Sequence, residues 1–105
     1  MNLPFPSGSG RAEILGGFQT RLIEAAKSFR PDLVLISAGF DSRVGDPLGE
    51  FKLTDEDFID LTKVMMEIAD AHSQGRVVSL LEGGYSLSGL RAGVSAHVGA
   101  LAGVK

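Results

Sequence analysis

RPDLVLISAGFD, residues 30–41, is the stretch on which the fold turns. Its middle, Leu33-Val34-Leu35-Ile36-Ser37, is apolar without alternation. A strand that hides one face alternates apolar and polar residues, whereas one that is apolar throughout fits a parallel sheet covered on both faces. Arg30-Pro31 in front of it stops any preceding helix, because the residue before a proline is pushed out of the α region. Behind it, Ala38-Gly39-Phe40-Asp41 carries the chain off the strand and leaves a carboxylate just past its end.

A second run of the same kind, Val77-Val78-Ser79-Leu80-Leu81, leads into Glu82-Gly83-Gly84-Tyr85. Between the two strands, Phe58, Leu61, Met65, Ile68 and His72 recur at helical spacing, with Met65-Met66 as core filling. Thr54 offers an N-cap with Asp57 three residues on, a capping box with Asp in the Glu position. Asp55, Glu56 and Asp57 suit the positive end of the helix dipole, and Gly75 is a plausible stop. Ahead of the first strand, Ile14, Leu15, Phe18, Leu22, Ala25, Ala26 and Phe29 mark one face of a helix over 12–29, weakened by Gly16-Gly17. A final helix carries Leu87, Leu90, Val94, Val98 and Leu101, with glycines 89, 93, 99 and 103 lowering its stability and permitting close packing. The expected order is α-β-α-β-α, a single α/β unit over residues 1–105.

Two parallel strands joined by a helical crossover finish at one edge of their sheet, and ligands of open α/β sheets bind outside those carboxyl ends. Here the ends present Asp41 and Tyr85. Neighbouring strands lie about 4.8 Å apart, so a carboxylate and a phenol can converge on one small substrate. The alternative for Asp41 is ordinary turn capping.

Composition narrows the function classes. A net charge of −3 gives no basic footprint for nucleic acid and no polybasic membrane patch. The absence of cysteine excludes disulfides and thiolate metal sites. No apolar run is long enough to span a bilayer, and Met1-Asn2-Leu3-Pro4-Phe5-Pro6 lacks the regions of a signal peptide. A cytoplasmic location is the expectation. The Gly83-Gly84-Tyr85-Ser86-Leu87-Ser88-Gly89 segment sets glycines before a helix N-terminus, where backbone N–H groups attract anions. It matches neither G-x-G-x-x-G nor the P-loop. An anion- or nucleotide-binding module, or a non-catalytic α/β assembly domain, stands as the alternative to an enzyme.

RPDLVLISAGFD followed by Gly45-Asp46-Pro47-Leu48-Gly49 resembles the zinc-ligand segment of histone deacetylases and their bacterial relatives, the acetylpolyamine amidohydrolases and acetoin utilization proteins. Leu81-Glu82-Gly83-Gly84-Tyr85 resembles the loop carrying their catalytic tyrosine. The Asn2-Leu3-Pro4-Phe5-Pro6 opening and Leu53-Thr54 are similar to the family as well, so the resemblance covers nearly the whole chain. It implies the C-terminal portion of a three-layer, parallel-sheet, arginase/deacetylase-like domain that hydrolyses an acetyl-lysine or an acetylated small amine. Asp41 would be a zinc ligand and Tyr85 the phenol that donates to the acetamide carbonyl oxygen. Leu48 would line the substrate channel, with Gly83 and Gly84 letting the backbone approach it. Asp46 is read as capping its own turn.

The resemblance also marks what is missing. The family's upstream aspartate–x–histidine pair and its proton-handling histidine pair have no counterpart in this sequence. His72 suits the last turn of its helix and His97 reads as a helix residue. Arg11 stands where many relatives carry an acidic residue. A catalytic zinc ordinarily needs three protein ligands, so the zinc site is incomplete and the isolated chain is expected to be inactive. Met1 running into what resembles a mid-domain loop points to a piece of a longer reading frame. Strand edges without charges or prolines invite pairing, and a homo-oligomer is expected.

Overall fold

The computed structural model describes residues 1–104. Helix begins at α1 (Arg11–Gly17), passes through a π-helical turn (Phe18–Leu22) and continues as α2 (Ile23–Phe29). The straight amphipathic helix expected over this stretch is therefore interrupted just after Gly16-Gly17, where Thr20 Oγ1 donates to the Gly16 carbonyl at 2.7 Å. A residue inserted into a helical turn rotates everything beyond it by about 100°. That rotation explains why Phe29, expected on the buried face, is 81% exposed while Ala26 is buried. The helix ends at Arg30 as the following proline requires. Arg30 leaves through the left-handed region at φ 56°, its N–H still on the Ala26 carbonyl.

β1 (Val34–Ala38) and β2 (Val77–Leu81) are parallel, with Val34 opposite Val77 and Ala38 opposite Leu81. The first strand sits one residue later than the sequence run suggests. The crossover between them is α3 (Asp55–His72), and α4 (Leu87–Leu101) follows β2. The α-β-α-β-α order and the parallel sheet are as expected. Among the described residues no helix is long and apolar enough to cross a membrane.

Side chains alternate across the pleat, and only one side is covered. Val34, Ile36 and Val77 pack with Leu15, Ala26, Val64, Ile68 and Ala69 from the helices. Ala38 joins Ile14, Phe40, Leu53 and Phe58 in an adjoining cluster nearer the strand ends. The opposite face, Leu33, Leu35, Val78 and Leu80, lies exposed. Cover on both faces, inferred from strands apolar throughout, is not supplied among the described residues: all the helices that touch the sheet come to its Val34 side.

The capping box at α3 forms as read. Asp57 N–H donates to Thr54 Oγ1 at 3.3 Å and Thr54 N–H donates to Asp57 Oδ2 at 2.8 Å. Buried Asp57 also takes Arg11 on its other oxygen at 2.8 Å, and the second arm of Arg11 reaches Asp60. Arg11 thus straps α1 to α3. Burial pushes the Asp57 carboxyl up, but the Thr54 N–H and Arg11 outweigh it and hold it below the usual range. At its far end α3 stops through two left-handed residues, Gln74 (φ 53°) and Gly75 (φ 75°).

The packing face of α4 follows the stripe of large residues only in part, through Leu90 and Val94, which pack against the cluster nearer the strand ends. The buried positions of the helix are Gly89, Gly93, His97 and Ala100, while Leu87 and Val98 are exposed. Small residues let this helix pack closely on its neighbours: a Cβ on Gly93 would sit 2.8 Å from a ring carbon of Phe40, just past β1, and 3.5 Å from the Phe58 ring of α3. Gly103 lies beyond the helix, in a left-handed turn whose N–H reaches the Ala100 carbonyl, with Val104 N–H on the Gly99 carbonyl. Those two bonds make a Schellman stop.

Candidate active site

Because the strands are parallel and in register at Ala38 and Leu81, both leave the sheet at the same edge. The pairing runs on for one step beyond them. Glu82 N–H donates to the Ala38 carbonyl at 2.9 Å, and Phe40 N–H donates to the Gly83 carbonyl at 2.8 Å. This zipper fixes the path of both loops. Phe40–Ser42 makes a single 3₁₀ turn, so Asp41 leaves the strand end directly.

Three glycines crowd Asp41. A Cβ at Gly39 would lie 2.8 Å from Asp41 Oδ1 and one at Gly83 2.8 Å from Asp41 Oδ2. A Cβ at Gly49 would run into the Asp41 backbone carbonyl itself. The Gly45–Gly49 loop and the Gly83 loop therefore close on Asp41 from two sides, with hydrogens where side chains would stand. Asp41, Leu48, Gly49 and Phe51 line one open groove of about 450 Å³ with Phe5 and Ser7. Leu48 is exposed on its rim. Beneath the strand ends lies a separate apolar cavity of about 340 Å³ between sheet and helices, whose walls include Phe18, Phe40, Met65 and His97.

Tyr85 lies two residues past Gly83 and is half exposed. Gly84 before it takes φ 138°, a conformation that side chains seldom adopt. The structure thus brings Asp41, Gly83, Gly49 and Leu48 together, with Tyr85 at the next bend and outside the groove lining. Two residues have a larger part than the sequence suggests. Gly49 carries no signal beyond its place after Pro47-Leu48. Asp46 caps its own turn, accepting from Leu48 N–H at 2.9 Å and Gly49 N–H at 2.8 Å, but its second oxygen accepts from Tyr85 N–H at 2.9 Å. That partner is thirty-nine residues away, beyond the reach of any local pattern. Two of the N–H groups in the glycine-rich segment are already engaged, Tyr85 with Asp46 and Gly89 with the Ser86 hydroxyl that caps α4.

His97, read as a helix residue, is a buried polar link between layers. Thr62 Oγ1 spends its hydrogen on the Phe58 carbonyl at 2.6 Å, so it accepts from His97 Nδ1–H at 2.7 Å. Nε2 then carries no hydrogen and accepts from the Ser79 hydroxyl at 2.7 Å. Burial pushes the ring's pKa below its ordinary value. The unfolded chain takes up the proton first as pH falls, near pH 6.5, so stability is full above that and declines toward the lower folded pKa. Urea midpoints should fall from about pH 7.5 to about pH 5.5, and His97→Gln should flatten that slope. An equal slope in the variant would show that His97 is not its source.

Comparison with known proteins places the fold in a family. A parallel α/β unit that brings a glycine-nested carboxylate and a tyrosine to one strand edge is the arrangement expected from the sequence. The model of the histone deacetylase domain matches residues 1–101. The chain is 42% identical over 104 residues to polyamine deacetylase HDAC10 of Mus musculus, covering 98% of this chain and 15% of that protein. It is 38% identical over 103 residues to histone deacetylase 14, chloroplastic, of Arabidopsis thaliana, covering 98% of this chain and 24% of that one. The solved structure of the histone deacetylase Clr3 superposes with a TM-score of 0.90 at 35% identity, covering all of this chain and 17% of Clr3. The chain belongs to the histone deacetylase domain family, and it spans less than a third of the length of these relatives.

Proposed function

We propose that these residues form the tyrosine side of a deacetylase site that hydrolyses the amide of an acetylated lysine or an acetylated small amine. The observation that supports it is the register: Ala38 opposite Leu81 sets Asp41 against Gly83, two residues before Tyr85. The Tyr85 phenol donates its hydrogen to the amide carbonyl oxygen as negative charge develops there. A donor already aimed at that oxygen stabilises the tetrahedral intermediate without reorganising. Leu48 forms an apolar wall for the acyl-bearing chain, and Gly83 and Gly84 let the backbone run close beside it.

Zinc is the metal that the family implies, and this chain's residues do not fit a complete site for it. Asp41 offers one carboxylate. Among the described residues no three His, Cys, Asp or Glu side chains converge, and a catalytic zinc takes three protein ligands. No step through zinc follows from these residues alone, and the isolated chain is inactive in this reading.

The test has two arms. With zinc added, the chain by itself should leave acetyl-lysine peptides and acetylated polyamines intact. Placed in the mouse polyamine deacetylase HDAC10 in exchange for the matched segment, it should support turnover, and Tyr85→Phe should lower that turnover about 10²–10³-fold. A working chimera indifferent to Tyr85→Phe would sink the assignment. Turnover by the chain alone would show that ligands come from elsewhere, such as a second copy.

A further inference from the structure

We propose that Asp46 is a positioning residue for Tyr85: its carboxylate fastens the loop that carries the phenol to the loop that carries Leu48. This rests on the reading of Tyr85 given above. The bland role, capping the Asp46-Pro47 turn, accounts for one oxygen only, the one that accepts from Leu48 and Gly49 N–H. A turn cap has no need of the other oxygen, yet that oxygen takes the backbone N–H of Tyr85 at 2.9 Å. Between Leu81, where β2 ends, and Ser86, which caps α4, the Tyr85 segment has no regular structure. Its first half is zipped to β1 through Glu82 and Gly83. Past Gly83 the segment bends at left-handed Gly84, and the Asp46 carboxylate is what meets the next N–H.

The chemistry suits a tether rather than an incidental contact. A carboxylate accepts only, and here backbone N–H groups from two separate loops point at it. Hydrogen bonds to an ionised acceptor are roughly twice as strong as neutral ones. Burial works against the anion, but the N–H groups of Tyr85, Gly49, Leu48 and Ser86 together hold the carboxyl below its ordinary range. The anion that makes the tether is thus the form present at neutral pH. Gly49 ties the arrangement to Asp41 as well, since its Cα rests against the Asp41 carbonyl. Asp46 therefore stands at the joint of three pieces: the carboxylate loop, the channel wall and the tyrosine loop.

An asparagine keeps one accepting oxygen and turns an NH₂ toward N–H donors at the other position, so Asp46→Asn breaks one half of the tether and Asp46→Ala both. The experiment is residue-resolved amide hydrogen exchange on the 105-residue chain. In the wild type, Tyr85 N–H should be protected although it lies in an exposed irregular segment. In Asp46→Ala, Tyr85, Leu48 and Gly49 should exchange together, at least about tenfold faster, while Ile36 and Glu82 in the strand ladder keep their rates. The chain has one tyrosine and no tryptophan, so tyrosine emission reports Tyr85 alone, and its anisotropy should fall in both variants. Asp55→Asn, which breaks the fork to Arg43 instead, should change neither readout. Faster exchange at Leu48 and Gly49 with Tyr85 unaffected would overturn the proposal and leave Asp46 a turn cap. An unprotected Tyr85 N–H in the wild type would overturn it even if every variant failed to fold. Neither readout involves turnover, so a failure here is distinct from a failure of the deacetylase reading, which the chimera decides.

Discussion

Gly49→Ala should unfold this chain more readily than any other single methyl added to it. The new Cβ would coincide with the Asp41 backbone carbonyl, and a backbone atom cannot turn aside as a side chain can. Either the 45–49 loop lifts away, which strains the bonds from Gly49 and Leu48 N–H to Asp46, or the 3₁₀ turn holding Asp41 is pushed off the strand end. Overpacking of this kind costs about 3 kcal/mol, which for a unit of this size lowers the melting temperature by roughly 10–20 °C. Gly16→Ala and Gly99→Ala are the controls. Each adds a methyl that meets nothing within 4 Å, at a helical position without positive φ, and each should stabilise by about 0.5–1 kcal/mol through helix propensity. Thermal unfolding followed by far-ultraviolet circular dichroism decides it. A Gly49→Ala melting point within about 2 °C of the wild type would mean that the loop stands farther from Asp41 than described.

The same contrast shows what was legible beforehand. Leu33 to Ser37 and Val77 to Leu81 read as parallel strands because neither alternates and a helix-length segment separates them. Once that is granted, Asp41 and Tyr85 must leave at one edge, so the outline of the site follows from strand parity alone. The Thr54–Asp57 box is local chemistry, three residues apart, and it forms as read. What escaped depends on contacts between distant segments. The glycines of the chain look alike in sequence, yet Gly16 and Gly99 face open space while Gly49 and Gly83 touch Asp41. Periodicity marks Leu87, Leu90, Val94, Val98 and Leu101 as the face of α4; Leu90 and Val94 do pack on the core, but the most deeply buried positions are Gly89, Gly93, His97 and Ala100. The small residues and the histidine bridge rotate the face toward Gly93 and His97 and leave Leu87 and Val98 outside. The π-helical turn at Phe18–Leu22 leaves no compositional mark, and it alone moves Phe29 from the expected core to the surface.

The bare side of the sheet carries the remaining large effect. Leu35 is 62% exposed, Leu80 56% and Val78 46%, with Leu33 beside them, and among the described residues each of the two strands has its outer edge unpaired. Apolar residues contiguous on one flat face are the kind of patch that marks an interaction surface, and unprotected edges template pairing with another chain. A two-stranded sheet is marginal alone, and here its helices are already committed to the Val34 side. In a solution of this chain the occupant within reach is a second copy, which meets the same patch most simply through a two-fold axis. We therefore expect sedimentation at micromolar concentration to give the mass of a dimer or larger assembly. Leu35→Lys together with Val78→Lys places charges on the exposed face while leaving Val34, Ile36, Ala38 and the helices untouched. The double variant should sediment as a single chain with its helical circular dichroism intact, since neither replaced side chain is buried in the fold. A wild-type chain that is already a well-folded monomer at those concentrations would sink the pairing. It would also mean that the core on the Val34 side holds the sheet unaided, so that cover on the second face serves a longer chain's architecture rather than the stability of this one.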